Sequence, residues 1–171
     1  RLVSGNGNIA LGTVTGAGFD LAADTTGTVT FNGNVSGVGS LSTSGAASVN
    51  ADISATTLID FGGALTLATG AAGTTRTLDA ATVNLNGLIA GNKNIVIKAD
   101  TLALGGTSAD YSGSNATLAT HTDGRAIALE TTAATTDLEI SASAIAKFAS
   151  FTQLTIGRSD SNSAITTTSA I

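Results

Sequence analysis

The feature that most constrains this chain is an internal echo in its sequence. Residues 28–37 read Thr-Val-Thr-Phe-Asn-Gly-Asn-Val-Ser-Gly and residues 82–91 read Thr-Val-Asn-Leu-Asn-Gly-Leu-Ile-Ala-Gly, with five of ten positions identical at an offset of 54. Apolar residues correspond as well, so that Val29, Phe31 and Val35 align with Val83, Leu85 and Ile89. Such self-similarity is typical of repeat architectures, in which each unit buries its apolar face only against its neighbours.

The echo resolves into a shorter unit. An offset of 54 is three times 18, and apolar pairs recur at intermediate steps of about 16 to 20 residues: Val49 and Ile53, Leu65 and Leu67, Val83 and Leu85, Leu102 and Leu104. Within a unit, apolar and polar residues alternate, which predicts short strands with one buried face. Gly and Asn follow each strand and allow sharp corners.

These patterns predict an all-β fold, a right-handed parallel β-helix of roughly 18–20 residues per coil. At that repeat length, 171 residues would make about eight or nine coils. Asn-Gly pairs also favour β-hairpins, so an antiparallel barrel is the alternative. Hairpins do not predict an echo across three units, and we therefore favour the solenoid.

The composition agrees with a narrow core and paired strands. The chain is 42% hydrophobic but has only five Phe, one Tyr and no Trp or Met, so small and branched aliphatic side chains must fill the interior. Only 11% of the residues are charged, which leaves Thr, Ser and Asn to form the surface, with Asn ladders expected at the corners. Pro, which would remove a ladder hydrogen bond, is absent.

Charge excludes some partners. The net charge is −5, and the seven Lys and Arg residues are scattered, so we expect no nucleic-acid partner. No apolar run approaches the roughly 18 residues of a membrane helix, and we expect no stable membrane insertion.

The chain is expected to be a single β-helix segment over residues 1–171. Neither end resembles a polar cap and no initiating Met is present, which predicts a fragment of a longer shaft. Residues 105–125 are predicted to form an irregular coil with a protruding loop around 107–116. Residues 141–149, with a Ser at a possible N-cap, are predicted to contain a short helical turn.

The sequence from Leu138 to Ile171 resembles a known family. Leu-Glu-Ile-Ser-Ala-Ser-Ala-Ile-Ala-Lys-Phe is followed by Leu-Thr-Ile-Gly-Arg at 154–158 and by Ala-Ile-Thr at 164–166. This order of a small-residue helical turn, a Leu-Thr-Ile-Gly strand and an Ile-Thr strand is similar to the β-helical repeat regions of filamentous-haemagglutinin-like bacterial exoproteins. Segments 7–11 and 99–104 are similar to strands of the same family.

The resemblance implies two-partner secretion through an outer-membrane transporter and a location outside the cell or on the bacterial surface. It also implies a shaft used in adhesion, biofilm cohesion or toxin presentation. The export domain of that family carries an Asn-Pro-Asn-Gly motif, which this chain lacks because it has no Pro. The residues would therefore belong to the shaft.

The sequence predicts no catalytic or metal-binding site. Stacked coils could bring Asp60 near Asp52 or Asp79, but isolated corner charges are the favoured interpretation of the dispersed acids, Glu130 among them. The only histidine, His121, could pair with Asp123, although a lone polar loop histidine is favoured. Residues 160–163, ending at Ser163, resemble half of a calcium loop without its Gly and closing Glu.

The sequence thus predicts a non-enzymatic structural and adhesive shaft segment without catalytic, cofactor or metal sites. Its partners would be glycans or proteins on host or bacterial surfaces, or neighbouring copies of itself. The alternatives are a subunit of a self-assembling extracellular filament and a β-helical enzyme acting on polysaccharides.

Overall fold

The computed structural model describes residues 1–129 and 136–167. It confirms the predicted fold class: short strands wind into a parallel β-helix of about six turns, and the paired strands run parallel. The number of turns is lower than the eight or nine expected. Several coils are longer than the repeat expected from the sequence, and three of the four strands after residue 126 form a small separate sheet.

The strands of the first three coils are, in chain order, β1 (Leu2–Gly5), β2 (Ile9–Leu11), β3 (Val14–Thr15), β4 (Leu21–Thr25), β5 (Thr28–Phe31), β6 (Val35–Thr43), β7 (Ala46–Val49) and β8 (Ile53–Phe61). The later strands are β9 (Leu65–Thr66), β10 (Thr75–Asp79), β11 (Thr82–Leu85), β12 (Leu88–Ile89), β13 (Asn94–Lys98), β14 (Thr101–Leu104), β15 (Tyr111–Ala119), β16 (Ile127–Ala128), β17 (Leu138–Glu139), β18 (Phe151–Ile156) and β19 (Ile165–Thr166). A 3₁₀ turn covers Ser108–Asp110, and the helix α1 covers Ala142–Lys147.

The coils present three faces. The first face contains β1, β4, the second halves of β6 and β8, β11 and β14. The second face contains β2, β5, β7, β9, β12 and the start of β15. The third face contains β3, the first halves of β6 and β8, β10, β13, the rest of β15 and β18.

The core is a column of stacked aliphatic side chains, as the composition predicts. On the first face, Leu41, Ile59 and Val83 lie in register on successive coils, and each is fully buried. Phe31 and Phe61 meet edge to face inside the column, with ring centroids 6.3 Å apart. Burial of apolar surface and close packing on both neighbouring coils therefore stabilise every interior coil.

Asn side chains join successive coils at the corners, as expected. The amide of Asn50 donates to the side-chain oxygen of Asn32 at 2.9 Å, and the side chain of Asn8 accepts from the backbone N–H of Thr28 at 2.9 Å. These bonds satisfy polar groups where the chain leaves one face for the next.

The 54-residue echo does not give the register in which the strands of successive coils pair. Val29 lies on the second face, and its partners on the next three coils are Ala47, Leu65 and Leu88, of which the last follows after a longer coil than the other two. Val83, its equivalent in the echo, lies on the first face. The two echoing segments are therefore similar strand–corner–strand units on different faces of the rod.

The prediction of a protruding loop around 107–116 is wrong from Tyr111 onward. Residues 111–119 form β15, which crosses the corner between the second and third faces and pairs with β12 and then β13. Tyr111 is fully buried, and its hydroxyl donates to the carbonyls of Leu85 and Gly105, each at 3.0 Å. An aromatic ring anchored in the core holds this polar, Gly-containing segment on the coil.

The predicted helical turn at 141–149 is confirmed by α1. Ser141 is its N-cap, and the Ser141 hydroxyl accepts from the backbone N–H of Ala144 at 3.2 Å. The helix leads into Phe148, which is buried and contacts Tyr111 with ring centroids 5.8 Å apart. Lys147 at the end of α1 donates to the carbonyl of Gly105 at 3.1 Å. The helical turn thus packs over the last coil.

Candidate functional site on the third face

The third face carries an outward array of polar side chains built by three coils. Val35, Ile53 and Leu78 are in register and point into the core. Because successive residues of a strand point to opposite faces, the residues that flank these three point outward. They form two rows across the strands and line one groove, which we name the polar groove: Asn34, Asp52 and Thr77 in one row, and Ser36, Ser54 and Asp79 in the other.

A change in coil length opens the polar groove. The coil that runs from Ile53 to its partner Leu78 is longer than the coil that runs from Val35 to its partner Ile53. Consequently β8 and β10 pair at only two positions, Ile53 with Leu78 and Ser54 with Asp79. N-terminal to this pairing, a side chain takes the place of the backbone acceptor: the Asp52 carboxylate accepts from the N–H of Thr77 at 2.9 Å. The resulting groove has a volume of about 270 Å³.

Hydrogen bonds fix the first row and leave capacity for a ligand. The Asn34 side-chain oxygen accepts from the N–H of Asp52 at 3.2 Å, and Asp52 in turn holds Thr77 through Oδ1. Among the described residues, the Asn34 amide and Asp52 Oδ2 have no further hydrogen-bond partner. In the part of the chain that the structure describes, the hydroxyls of Ser36 and Ser54 have no hydrogen-bond partner.

His121 closes one end of this array. Its Nδ1 lies 2.6 Å from Oδ1 of Asp79, two coils below, and both side chains are about 31% exposed. An ionised carboxylate only accepts hydrogen bonds, so Nδ1 carries the proton and donates to it. Over residues 1–129 and 136–167, Asp79 Oδ2 and His121 Nε2 have no other hydrogen-bond partner.

A charged corner continues from His121 towards the first face. Asp100 accepts from the backbone N–H of Thr122 at 2.9 Å and lies 3.8 Å from the guanidinium of Arg125. Arg158 donates two parallel hydrogen bonds to Asp160, at 2.7 and 2.8 Å. These bonds lower the pKa of Asp160 to about 2, and they raise the pKa of Arg158. The corner is therefore a set of mutually neutralised pairs.

The structure separates some groups that the sequence suggested together. Asp60 lies on the first face between Ser42 and Asn84, so it is near neither Asp52 nor Asp79. Asp123 does not pair with His121, and its carboxylate accepts from the N–H of Gly124 instead. Glu130 lies outside the described residues.

The segment that resembles half of a calcium loop is organised by other bonds. The Asp160 carboxylate is bound by Arg158, and the hydroxyls of Ser161 and Ser163 lie 2.5 Å apart. Over residues 1–129 and 136–167, no group of three or more His, Cys, Asp or Glu side chains is placed to hold a metal ion.

Sequence reasoning missed two pairings, Asp52 with Asp79 in one groove and His121 with Asp79. The available signal was the lengthened coil between Leu67 and Thr75, where glycines at 70 and 73 adopt positive φ. Once that insertion is recognised, the register places Asp79 one coil above Ser54.

By fold, the protein is a parallel β-solenoid. No protein-family model matches the chain, and neither the curated proteins nor the solved structures contain a match. Within the described residues, no helix is long and apolar enough to cross a membrane.

Proposed function

We propose that this chain is a structural and adhesive shaft segment of a secreted bacterial surface exoprotein. The observation that carries the proposal is the continuous stack of coils, in which interior strands such as β6 and β8 are hydrogen-bonded to a coil on each side. Such a stack keeps its side faces rigid and regularly spaced, as an extended binding surface requires.

The chemistry of the faces supports the same proposal. Outward positions on the second face carry Thr30, Ser48 and Thr66 in register on successive coils. Short hydroxyl side chains on paired strands lose little conformational freedom when they bind, because their backbone is already fixed. The resemblance of residues 138–171 to filamentous-haemagglutinin-like repeats supports secretion and surface location.

Adhesion of coated beads tests the proposal. Beads carrying the whole chain should adhere to epithelial or bacterial cells, or to one another, more than albumin-coated beads do. Beads carrying the heat-unfolded chain are the matched control, since the proposal requires the folded faces. Adhesion no greater than that of albumin in all three assays would refute the adhesive role.

A second candidate is a polysaccharide-active enzyme, which the two carboxylates of the polar groove favour. Asp52 and Asp79 lie diagonally across adjacent strands, and strand spacings of about 4.8 Å place such carboxylates within the roughly 5–9.5 Å range of paired glycosidase acids. Cleavage of a polysaccharide that is lost in both Asp52→Asn and Asp79→Asn would establish this activity in place of pure adhesion. A cleavage screen without products would leave the shaft as the better account.

A further inference from the structure

We propose that the polar groove is a binding site for a neutral, hydroxyl-rich sugar unit of a surface glycan. This inference rests on the proposed adhesive function and gives it a location and a ligand class. The groove lies on the third face across three coils, and it is lined by two carboxylates, one carboxamide and three hydroxyls, with apolar side chains beneath them.

The groove is rigid before any ligand arrives. Val35, Ile53 and Leu78, which alternate with the lining residues, are at most 1% exposed and are stacked in register. Side-chain to backbone bonds also fix Asn34 and Asp52. A site whose groups are already held in place costs little conformational entropy on binding, which favours recognition of a small sugar unit.

The unused hydrogen-bonding groups match sugar hydroxyls. Each hydroxyl of a sugar can donate one hydrogen bond and accept others. Asp52 Oδ2 and Asp79 Oδ2 would accept charge-assisted bonds from two of them, whereas the Asn34 amide would donate. Ser36 and Ser54 can do either. A ligand with several hydroxyls satisfies all of these groups together, which a hydrocarbon surface does not.

Charge selects against acidic sugars. Asp52 has no ion-pair partner in the described part of the chain, and the other lining carboxylate, Asp79, is paired with His121. Lys98 stands opposite Asp79 on the next coil, but it does not line the groove. A uronate, sialic acid or sulfate would bring a like charge next to Asp52, so we infer a preference for uncharged glycans.

Glycan arrays and calorimetry on the whole chain test the proposal. Neutral oligosaccharides ending in hexoses or N-acetylhexosamines should bind, and matched oligosaccharides ending in uronic or sialic acid should bind at least about tenfold more weakly. Ser54→Ala and Asp52→Asn should each weaken binding of the neutral ligand by about tenfold, the loss expected for one good hydrogen bond. The side-chain oxygen of the Asp52→Asn variant can still accept from Thr77, so the fold should be kept, as circular dichroism would verify.

Asp60→Asn is the matched control, because Asp60 lines a groove on the first face with Asn84. Neutral-glycan binding should be unchanged in this variant. Equal or tighter binding of acidic glycans, or neutral binding that survives both groove substitutions, would overturn the proposal. If coated beads adhere to cells while no neutral glycan binds, the groove proposal fails and the shaft proposal stands. If neutral glycans bind but coated beads do not adhere, the groove proposal stands and the adhesive role of the shaft fails.

Discussion

Tyr111 shows how one residue determines local structure in this chain. Its ring lies between the coil stack and Phe148, and its hydroxyl donates to two carbonyls. Burial, aided by the negative charge of Asp110, raises the pKa of Tyr111 to about 12 from an ordinary value of about 10. The stability of the Tyr111 contacts is therefore linked to the protonation state of its phenol.

This link predicts a loss of stability in alkali. Between pH 10 and pH 12 the unfolded chain loses the Tyr111 proton while the folded chain keeps it, so the free energy of unfolding falls as pH rises. Because the pKa rises from about 10 in the unfolded chain to about 12 in the folded chain, the free energy of unfolding should fall by up to about 3 kcal/mol. Urea unfolding from pH 8 to pH 12 would measure it.

Tyr111→Phe is the control for that measurement. The variant should lose about 1 kcal/mol at pH 8, because two buried carbonyls lose a donor, and it should show a smaller further loss by pH 12. The wild-type advantage should therefore disappear and reverse with rising pH. An advantage that stays constant over this range would show that Tyr111 does not control the alkaline loss.

At the level of the elements, close approach between corners limits which residues the coils accept. A Cβ added at Gly45 would lie 2.5 Å from the carbonyl oxygen of Thr25 on the previous coil. Gly45→Ala should therefore push two corners apart and cost about 1–3 kcal/mol of unfolding free energy. Thermal unfolding followed by circular dichroism measures the change.

Gly12→Ala is matched to this substitution, since a Cβ at Gly12 meets nothing within 4 Å. It should leave the free energy of unfolding within about 0.5 kcal/mol of wild type. Similar effects of the two substitutions would mean that corner contact is not what restricts Gly45.

Local patterns in the sequence were sufficient to predict the elements but not their alignment. Alternation at Leu65-Thr66 and a capping Ser141 indicated a strand and a helical turn, because both depend on neighbouring residues only. Register depends on the length of every intervening corner. The insertion at Gly70 and Gly73 lengthens the coil between Ile53 and Leu78 beyond the expected repeat, so a uniform repeat places Val83 on the wrong face.

The candidate site could not be predicted from the sequence for the same reason. The separation of Asp52 and Asp79 in the sequence matches neither one nor two coils at the expected repeat. The residue that a regular repeat suggested as their neighbour, Asp60, stands on another face. A polar groove that arises from a lengthened coil can be located only when that coil is known.

For the whole molecule, the two ends of the coil stack differ. In the first coil, inward side chains such as Ile9 and Val14 are only half-buried, and Val3 is 66% exposed. At the other end, α1 and Phe148 pack over Tyr111. In a solenoid each coil is stabilised mainly by its neighbours, so such differences produce a gradient of local stability along the axis.

Native-state hydrogen exchange should reveal that gradient. Amides of β2 and β3 should exchange fastest, those of β6, β8 and β13 slowest, and those of β15 at an intermediate or slow rate. Phe148→Ala should cost about 3–5 kcal/mol, because it removes a buried ring at a site that α1 covers. The same variant should accelerate exchange in β15 and β18 far more than in β4 and β6, since the lost contacts lie at one end of a chain of nearest-neighbour interactions.

Ile59→Ala, a substitution in a middle coil, should instead accelerate exchange on both sides of β8. Equal acceleration throughout the chain in both variants would mean that the rod unfolds as one unit.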